Sequence, residues 1–275
     1  MRTAGFTLVE LAIVLVIIGL LVGGVLVGAD LVKSAQINAT VSDIQSYTAA
    51  ALTFRDKYGG IPGDLRNDKA AQAGLTVSAT SPGTVGEGDG DGYISNYSGG
   101  LNGGAGGEVT LFWRQLSDAG LISFKSVADG TTIDTSAFGT GSNATTGLTG
   151  IFPPLRIRPT GFINISAFYG GSSMTGNIFT IAAFNSNGSA AGVLKGNPTL
   201  SAREALGLDQ KLDDGYPATG TVLSRPVGFI LSLPGNGGTP STANTLCYDN
   251  TTTAGSYAVA VDDNVRCLLV MRPGI

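Results

Sequence analysis

The chain has 275 residues, of which 42 are glycine and only 13% are charged. Its 16 basic and 20 acidic residues give a net charge of −4, so no nucleic-acid partner is predicted. The chain contains no histidine, which excludes His-dependent catalytic triads and Cys/His zinc sites. This composition favours a structural or binding protein, and we expect no enzymatic activity.

A long apolar segment lies next to the N-terminus. Residues 1–5 form a short polar stretch, and residues 6–29 are apolar apart from Glu10 and Thr7. As a helix the apolar part extends about 25 to 30 Å, which is enough to span a bilayer core. This core is longer than that of a cleaved secretory signal, and a carboxylate inside it is costly unless it is paired. The alternative for Glu10 is that it reaches the headgroups from one turn inside the membrane edge.

The residues Gly5-Phe6-Thr7-Leu8-Val9-Glu10 closely resemble the processing site of type IV prepilins and type II secretion pseudopilins. The resemblance implies that a prepilin peptidase cuts between Gly5 and Phe6 and methylates the new amine of Phe6. It also implies that the apolar helix stays attached, first as a membrane anchor and then as the core of a filament. Glu10 stands where this family has its glutamate. In an apolar bundle its carboxylate would neutralise the Phe6 amine of a neighbouring subunit.

The helical pattern continues beyond the apolar segment without a proline as far as Tyr58. We predict one helix over residues 6–58, with an amphipathic continuation at 30–58, about 80 Å long at the standard rise. Gly59-Gly60 and Pro62 end it. Two separate helices are the alternative. Many pilins have a helix-bending proline where this chain has Val27, and the glycines around Val27 leave open whether the helix melts on assembly.

Residues 59–150 correspond to the αβ-loop region that lies between the helix and the sheet in the pilin family. Residues 81–107 are rich in glycine, which predicts an extended surface loop. Residues 108–119 show a short helical pattern with Gly120 as a C-terminal cap.

Residues 151–275 predict an antiparallel β-sheet packed on the long helix, so the expected fold class is α+β and pilin-like. One interruption, Ser201–Leu212, has the pattern of a helix, with Ser201 and Glu204 forming a capping box. Asp213 and Asp214 follow it, and turn capping is a better interpretation of them than acid–base catalysis. Strands are predicted at Leu155–Arg158, Gly161–Tyr169, Ile178–Phe184, Val227–Leu233, Tyr257–Val261 and Cys267–Met271.

Cys247 and Cys267 are the two cysteines of the chain and enclose a candidate hairpin that starts at Ser256. An anchored helix sends its C-terminal side across the membrane into an oxidising compartment, which favours a disulfide. The family resemblance points the same way, because many type IV pilins close a C-terminal loop with a disulfide. Two unpaired buried thiols are the alternative.

Carboxylates and glycines alternate from Glu87 to Asp91, as in a calcium loop. Against the EF-hand pattern, Glu87, Asp89 and Asp91 take the first ligand positions and Tyr93 supplies a backbone carbonyl. The bidentate glutamate of that pattern and the flanking helices are missing, so this is not an EF-hand. One interpretation is a calcium site completed by Glu108, since some pseudopilins bind calcium in a surface loop. The other is a solvated acidic turn.

The resemblance implies a filament subunit made as a single-pass precursor in the inner membrane, and later found in a periplasmic or cell-surface filament. Its implied partners are the prepilin peptidase, other pilin subunits, the inner-membrane assembly platform, and membrane lipid before assembly. A membrane-anchored periplasmic binding domain that never polymerises is the alternative. That alternative explains the helix and the disulfide, but not Glu10 or the Gly5–Phe6 junction.

Overall fold

The computed structural model describes residues 7–77, 88–95, 106–128, 148–168, 176–186, 194–225, 247–249, 255–259 and 267–275. The helices in these ranges are α1 (Leu8–Tyr58), α2 (Asn67–Gln72), α3 (Glu108–Asp118) and α4 (Ala202–Leu212). The strands are β1 (Phe162–Phe168), β2 (Gly176–Ser186), β3 (Leu194–Asn197), β4 (Val222–Arg225), β5 (Tyr248–Asp249), β6 (Ser256–Tyr257) and β7 (Leu268–Met271).

The helix α1 is continuous over 51 residues, and therefore about 76 Å long at ~1.5 Å per residue. It passes through the glycines around Val27 without a break, so the prediction of a single helix is confirmed. It ends at Gly59, whose φ of 74° is the left-handed conformation that glycine adopts without strain. The Gly59 N–H donates to the Arg55 carbonyl at 2.8 Å and closes the last turn.

The second half of α1 is built into the folded domain. Its buried side chains recur at three- and four-residue spacing, as an amphipathic helix requires: Val41, Ile44, Tyr47, Ala51 and Phe54. The Tyr47 ring meets Trp113 of α3 edge-on at 5.1 Å, and Trp113 stacks on Phe179 of β2 at 6.0 Å. The core thus runs from α1 through α3 to the sheet.

The main sheet is antiparallel, with the order β1-β2-β7-β4, and β3 pairs with β2. The strands β5 and β6 form a separate antiparallel pair. A long N-terminal helix followed by an antiparallel sheet is the predicted α+β arrangement, and this fold class is confirmed.

The segment Leu155–Arg158 is not a strand, contrary to the prediction. It lies between Pro154 and Pro159, neither of which can donate a ladder hydrogen bond. Instead, the chain turns back on itself through two bonds, from the Leu155 N–H to the Gly161 carbonyl and from the Gly161 N–H to the Arg158 carbonyl. Its arginines reach the helices, because Arg156 pairs with Asp43 of α1 at 2.8 Å and Arg158 pairs with Glu204 of α4 at 3.3 Å.

The other strands agree with the sequence only in part. The predicted strands of β1, β2 and β7 are confirmed within two residues of their ends. The predicted strand at 257–261 stops at Tyr257, and β6 pairs with β5, so it does not form a hairpin with β7. Residues 227–233 lie outside the described part of the chain. The sequence does not predict the strands β3, β4 and β5 or the helix α2, because segments of two to six residues are too short for a periodic pattern.

The helix α4 begins as its sequence predicts. The Ser201 N–H donates to Glu204 Oε2 at 2.9 Å and the Glu204 N–H donates to Ser201 Oγ at 3.3 Å, which is the expected capping box. In the turn that follows, Asp214 accepts from the Tyr216 N–H at 2.8 Å and from the Thr219 hydroxyl at 2.7 Å. Asp213 accepts from the N–H groups of residues 221 and 222. Both carboxylates therefore hold a turn.

Cys247 and Cys267 form a disulfide, with their Cα atoms 5.2 Å apart. Both are fully buried, and Cys267 forms a β-bridge with Leu200 at the start of β7. The Ser224 hydroxyl of β4 lies 3.0 Å from Cys247 Sγ. The bond ties the β5–β6 region to the main sheet, and the predicted pairing is confirmed.

Replacing both cysteines by alanine should lower the free energy of unfolding by about 3 kcal/mol, because a loop of this size then gains chain entropy in the unfolded state. Urea unfolding of the full chain in detergent measures this, followed by the fluorescence of Trp113, the one tryptophan of the chain and a buried one. The reduced wild-type chain should unfold at the same urea midpoint as the double alanine variant. Equal midpoints for reduced and oxidised chain would show that the disulfide adds nothing.

Candidate functional site

The first half of α1 is apolar on all sides and exposed. Leu8 is 87% exposed, Leu20 73% and Val32 58%. Other large apolar side chains of this half are each about half exposed or more: Val9, Leu11, Ile13, Val14, Leu15, Val16, Ile17, Ile18, Leu21, Val22, Val25, Val27 and Leu31. Soluble monomers rarely expose an apolar surface of this size, so an apolar environment must cover it.

The helix α1 is long and apolar enough to cross a membrane, and none of its most apolar stretch is buried inside the protein. A core helix of a soluble domain passes the same length test but is buried by its neighbours. The exposure therefore excludes that explanation for this half of α1. By its length, composition and exposure, this half of α1 suits a membrane span.

Glu10 takes part in the N-terminal cap of α1. Its Oε2 accepts from the Thr7 N–H and from the Thr7 hydroxyl, both at 2.8 Å, and the Glu10 N–H donates to Thr7 Oγ1 at 3.3 Å. This reciprocal capping box satisfies helix-terminal N–H groups that otherwise have no partner inside the helix. Gly5 and Phe6, the predicted cleavage and methylation residues, lie outside the described residues.

A second candidate site is the acidic loop, which we define as residues 88–95. The buried carboxylate of Asp64, in the turn after α1, holds one side of the loop. Its Oδ1 accepts from the N–H groups of Gly90 at 2.8 Å and Asp91 at 3.1 Å, and its Oδ2 accepts from Gly92 at 3.0 Å. No pattern in the sequence indicates this role, since Asp64 precedes the loop by more than 20 residues.

Glu108, the first residue of α3, holds the acidic loop from the other side. It is fully buried, and its Oε1 accepts from the Gly88 N–H at 3.0 Å. Its Oε2 accepts from the N–H and the hydroxyl of Ser95, at 2.6 and 2.9 Å. Glu108 therefore anchors both ends of the loop.

The acidic loop is also joined to the sheet. The Asn177 side chain of β2 accepts from the Ile94 N–H at 2.8 Å and donates to the Gly92 carbonyl at 3.0 Å. The Ala167 N–H of β1 donates to the Ile94 carbonyl at 2.8 Å, and the Ile94 side chain is fully buried. Residues 88–95 form no helix or strand and Asp89 to Asp91 are exposed, as in a surface loop, while the buried Ile94 and Ser95 tie this part of 81–107 to the domain.

The structure brings some of the predicted calcium ligands together. Carboxylate oxygens of Asp64, Asp89 and Asp91 lie within 4.8 Å of one another, and hard oxygen donors of this kind suit calcium. Asp89 and Asp91 also accept N–H groups two residues on, at 3.0 and 2.7 Å, and the second of these comes from Tyr93. Glu87 lies outside the described residues. The calcium site stays a prediction, with Asp64 added to its candidate ligands.

Burial controls the charge of the two anchoring carboxylates. Loss of water raises the pKa of Asp64 to about 7, against the opposing effect of its hydrogen bonds from Gly92 and Gly90. Burial likewise raises the pKa of Glu108 to about 8, and the nearby Asp64 adds to the increase. A proton or a cation at this site would therefore relieve an electrostatic cost.

Comparison with known proteins identifies a family motif at the N-terminus. Residues 1–26 match the family described as the prokaryotic N-terminal methylation motif, which is the prepilin-type signal of type IV pilins and pseudopilins. The match covers the apolar start of α1 and none of the folded domain. No curated protein and no solved structure gives a significant match to the chain.

The raised pKa values of Asp64 and Glu108 predict that these two anchoring carboxyl groups stabilise the fold at low pH. The folded state binds these protons more tightly than the unfolded chain, so the contribution is full below the unfolded pKa and is lost as pH rises through about 7 for Asp64 and about 8 for Glu108. When the pH falls from about 8 to about 5, the free energy of unfolding of wild type should increase by at least ~1.4 kcal/mol more than that of Glu108→Gln. This difference corresponds to a pKa shift of one unit.

Urea midpoints in EDTA, measured at both pH values, test this difference. The matched control is Asp56→Asn, which removes one exposed carboxylate of α1 and should keep the wild-type pH dependence. If Glu108→Gln and wild type respond to pH equally, the anchoring carboxylate is ionised throughout.

If calcium binds the cluster, it should stabilise the fold by ~2.7 kcal/mol at about 100 times its dissociation constant, because it binds the folded state. Thermal unfolding at neutral pH, with calcium or EDTA, measures the shift. The double variant Asp89→Asn, Asp91→Asn should lose the response, whereas Asp56→Asn should keep it. An unchanged wild-type melt would leave the acidic loop as a hydrogen-bonded turn.

Proposed function

We propose that this chain is a type IV pilin-like or pseudopilin subunit. A prepilin peptidase cleaves it between Gly5 and Phe6, and α1 then assembles it into an extracytoplasmic filament. One observation carries the proposal: the methylation motif at residues 1–26 leads directly into a helix whose first half is exposed and apolar and whose second half is built into a folded domain.

The apolar half of α1 suits both stages of this process. Before assembly, lipid covers it, and the internal hydrogen bonds of the helix satisfy the backbone in the bilayer. After assembly, the same surface packs against the helices of other subunits. The folded domain stays outside the membrane in both stages, where the oxidising compartment maintains the Cys247–Cys267 disulfide.

Glu10 has a distinct part in the assembly step. Burial in a bundle of apolar helices makes an unpaired carboxylate and an unpaired amine equally costly. Among the described residues, both hydrogen bonds that Glu10 accepts come from Thr7 and end on Oε2. The Oε1 atom then accepts from the Phe6 amine of a neighbouring subunit, so that capping and pairing operate together.

Glu10→Ala should leave membrane insertion intact, because it removes a charge from an apolar segment, but should greatly reduce filament incorporation. The expected defect is ~3 to 5 kcal/mol per subunit, from one member of a buried pair being removed. Membrane flotation measures insertion, and the fraction of the chain in sheared, sedimented filaments measures incorporation. The intact mass of assembled subunits should correspond to a chain that starts at Phe6 with a methylated amine.

Glu10→Gln is the matched control, since a glutamine at this position still completes a capping box but carries no charge. If it assembles as poorly as Glu10→Ala, charge pairing is the cause. If it assembles as well as wild type, the cap is what matters and the pairing role is wrong. Retention of Met1 in assembled material would contradict cleavage between Gly5 and Phe6. A wild-type chain that inserts and never polymerises would favour a membrane-anchored periplasmic domain.

A further inference from the structure

A groove of about 380 Å³ lies where α1 leaves its apolar half and meets α4. Residues 30–37 of α1 form one wall, and Ser201, the N-cap of α4, forms the other with residues 203–211 of that helix. The two helices are in close contact at Gly207, because a Cβ atom there would lie 2.9 Å from Ile37 Cδ1. The floor of the groove is largely apolar, with Ile37 and Leu206 partly buried in it.

The rim of the groove is positively charged, although the chain as a whole carries −4. Lys33, Arg203 and Lys211 all line it. Of the two acidic lining residues, Glu204 is engaged within the protein, because it pairs with Arg158 at 3.3 Å and accepts from the Ser201 N–H at 2.9 Å. Asp30 is the other. Lys33 has an interaction of its own, but Arg203 and Lys211 alone outnumber the remaining carboxylate, so the groove complements an anion.

When the apolar half of α1 spans a bilayer, the groove lies at the level of the membrane surface. Val32 is the last large side chain of the exposed apolar run of α1, and Lys33 follows it directly. With α1 in a bilayer, Asp30 and Lys33 lie within one helical turn of the end of the apolar surface, a turn being about 5.4 Å. Lipid phosphate groups occupy this depth, and Arg and Lys bind phosphate through charge-assisted hydrogen bonds.

We propose that this groove binds the headgroup phosphate of an anionic phospholipid, with Arg203 and Lys211 as its principal ligands and the apolar floor against the glycerol and upper acyl carbons. The lipid would orient the folded domain on the membrane before assembly. The proposal rests on the membrane anchoring of α1 and not on filament formation, so the two can fail separately.

The test uses the full chain purified in detergent and mixed with phosphatidylglycerol or with phosphatidylcholine. Native mass spectrometry measures the fraction of protein that retains each lipid. Wild type should retain phosphatidylglycerol in preference. In the double variant Arg203→Gln, Lys211→Gln, the affinity for phosphatidylglycerol should fall about five-fold for each cation removed. This corresponds to ~1 kcal/mol per basic residue near an anionic surface.

The matched control is Arg55→Gln, Lys69→Gln, which makes the same charge change at exposed positions away from the groove. Arg55 lies about 27 Å along α1 from Ile37, the nearest groove residue of that helix. It should keep the wild-type preference. So should Glu10→Ala, which separates a failure of assembly from a failure of lipid binding. Equal retention of the two lipids by wild type, or an equal loss in the control, would overturn the proposal. So would a groove variant that keeps phosphatidylglycerol but no longer enters filaments, because the groove would then be a contact between subunits.

Discussion

The rest of the structure depends on one uninterrupted ladder of hydrogen bonds in α1. This helix has to be stable in two environments, an apolar one around its first half and the folded domain with water around its second half. In its first half the side chains are apolar on every face and exposed, so the backbone must satisfy itself, as only a helix or a closed barrel does in lipid. In its second half only one stripe is apolar, and α3 and α4 cover it. Because the ladder is unbroken between them, the folded domain is held at a defined height and rotation relative to the apolar surface.

Carboxylates with backbone N–H partners organise the parts of this protein that apolar packing cannot. A segment rich in glycine and aspartate has little surface to bury, yet Asp64 and Glu108 anchor residues 88–95 between α1, α3 and the sheet. The energetic cost is visible in the raised pKa of both groups, since loss of water outweighs the hydrogen bonds they accept. Anything that neutralises this pair, a proton or a hard cation, would stabilise the same arrangement.

Glu10 illustrates the same chemistry in an apolar setting. Its capping bonds with Thr7 give the carboxylate a local partner in a single subunit, so a subunit in the membrane does not leave it without hydrogen bonds. Bonds from a neutral hydroxyl and an amide do not balance a full negative charge in a low dielectric. In the proposed filament, an ammonium group from a neighbouring chain would supply that balance, and Glu10 would then act in assembly as well as in the helix cap.

The sequence by itself determined the continuous helix, its apolar first half, the capping box at Ser201, the helix at 108–118, the central strands and the disulfide. The helices and strands are encoded in residues close in the chain, through periodicity and capping chemistry. The disulfide is encoded differently, because the chain has two cysteines and therefore one possible pair. Only the tertiary structure showed that Asp64 belongs with the acidic loop, that β6 pairs with β5, and that Arg156 and Arg158 lie in a turn that reaches α1 and α4. These contacts join backbone N–H groups and charges from segments that are distant in the chain. Because almost every residue has a backbone N–H group, the sequence does not indicate which of them a given carboxylate will bind after folding.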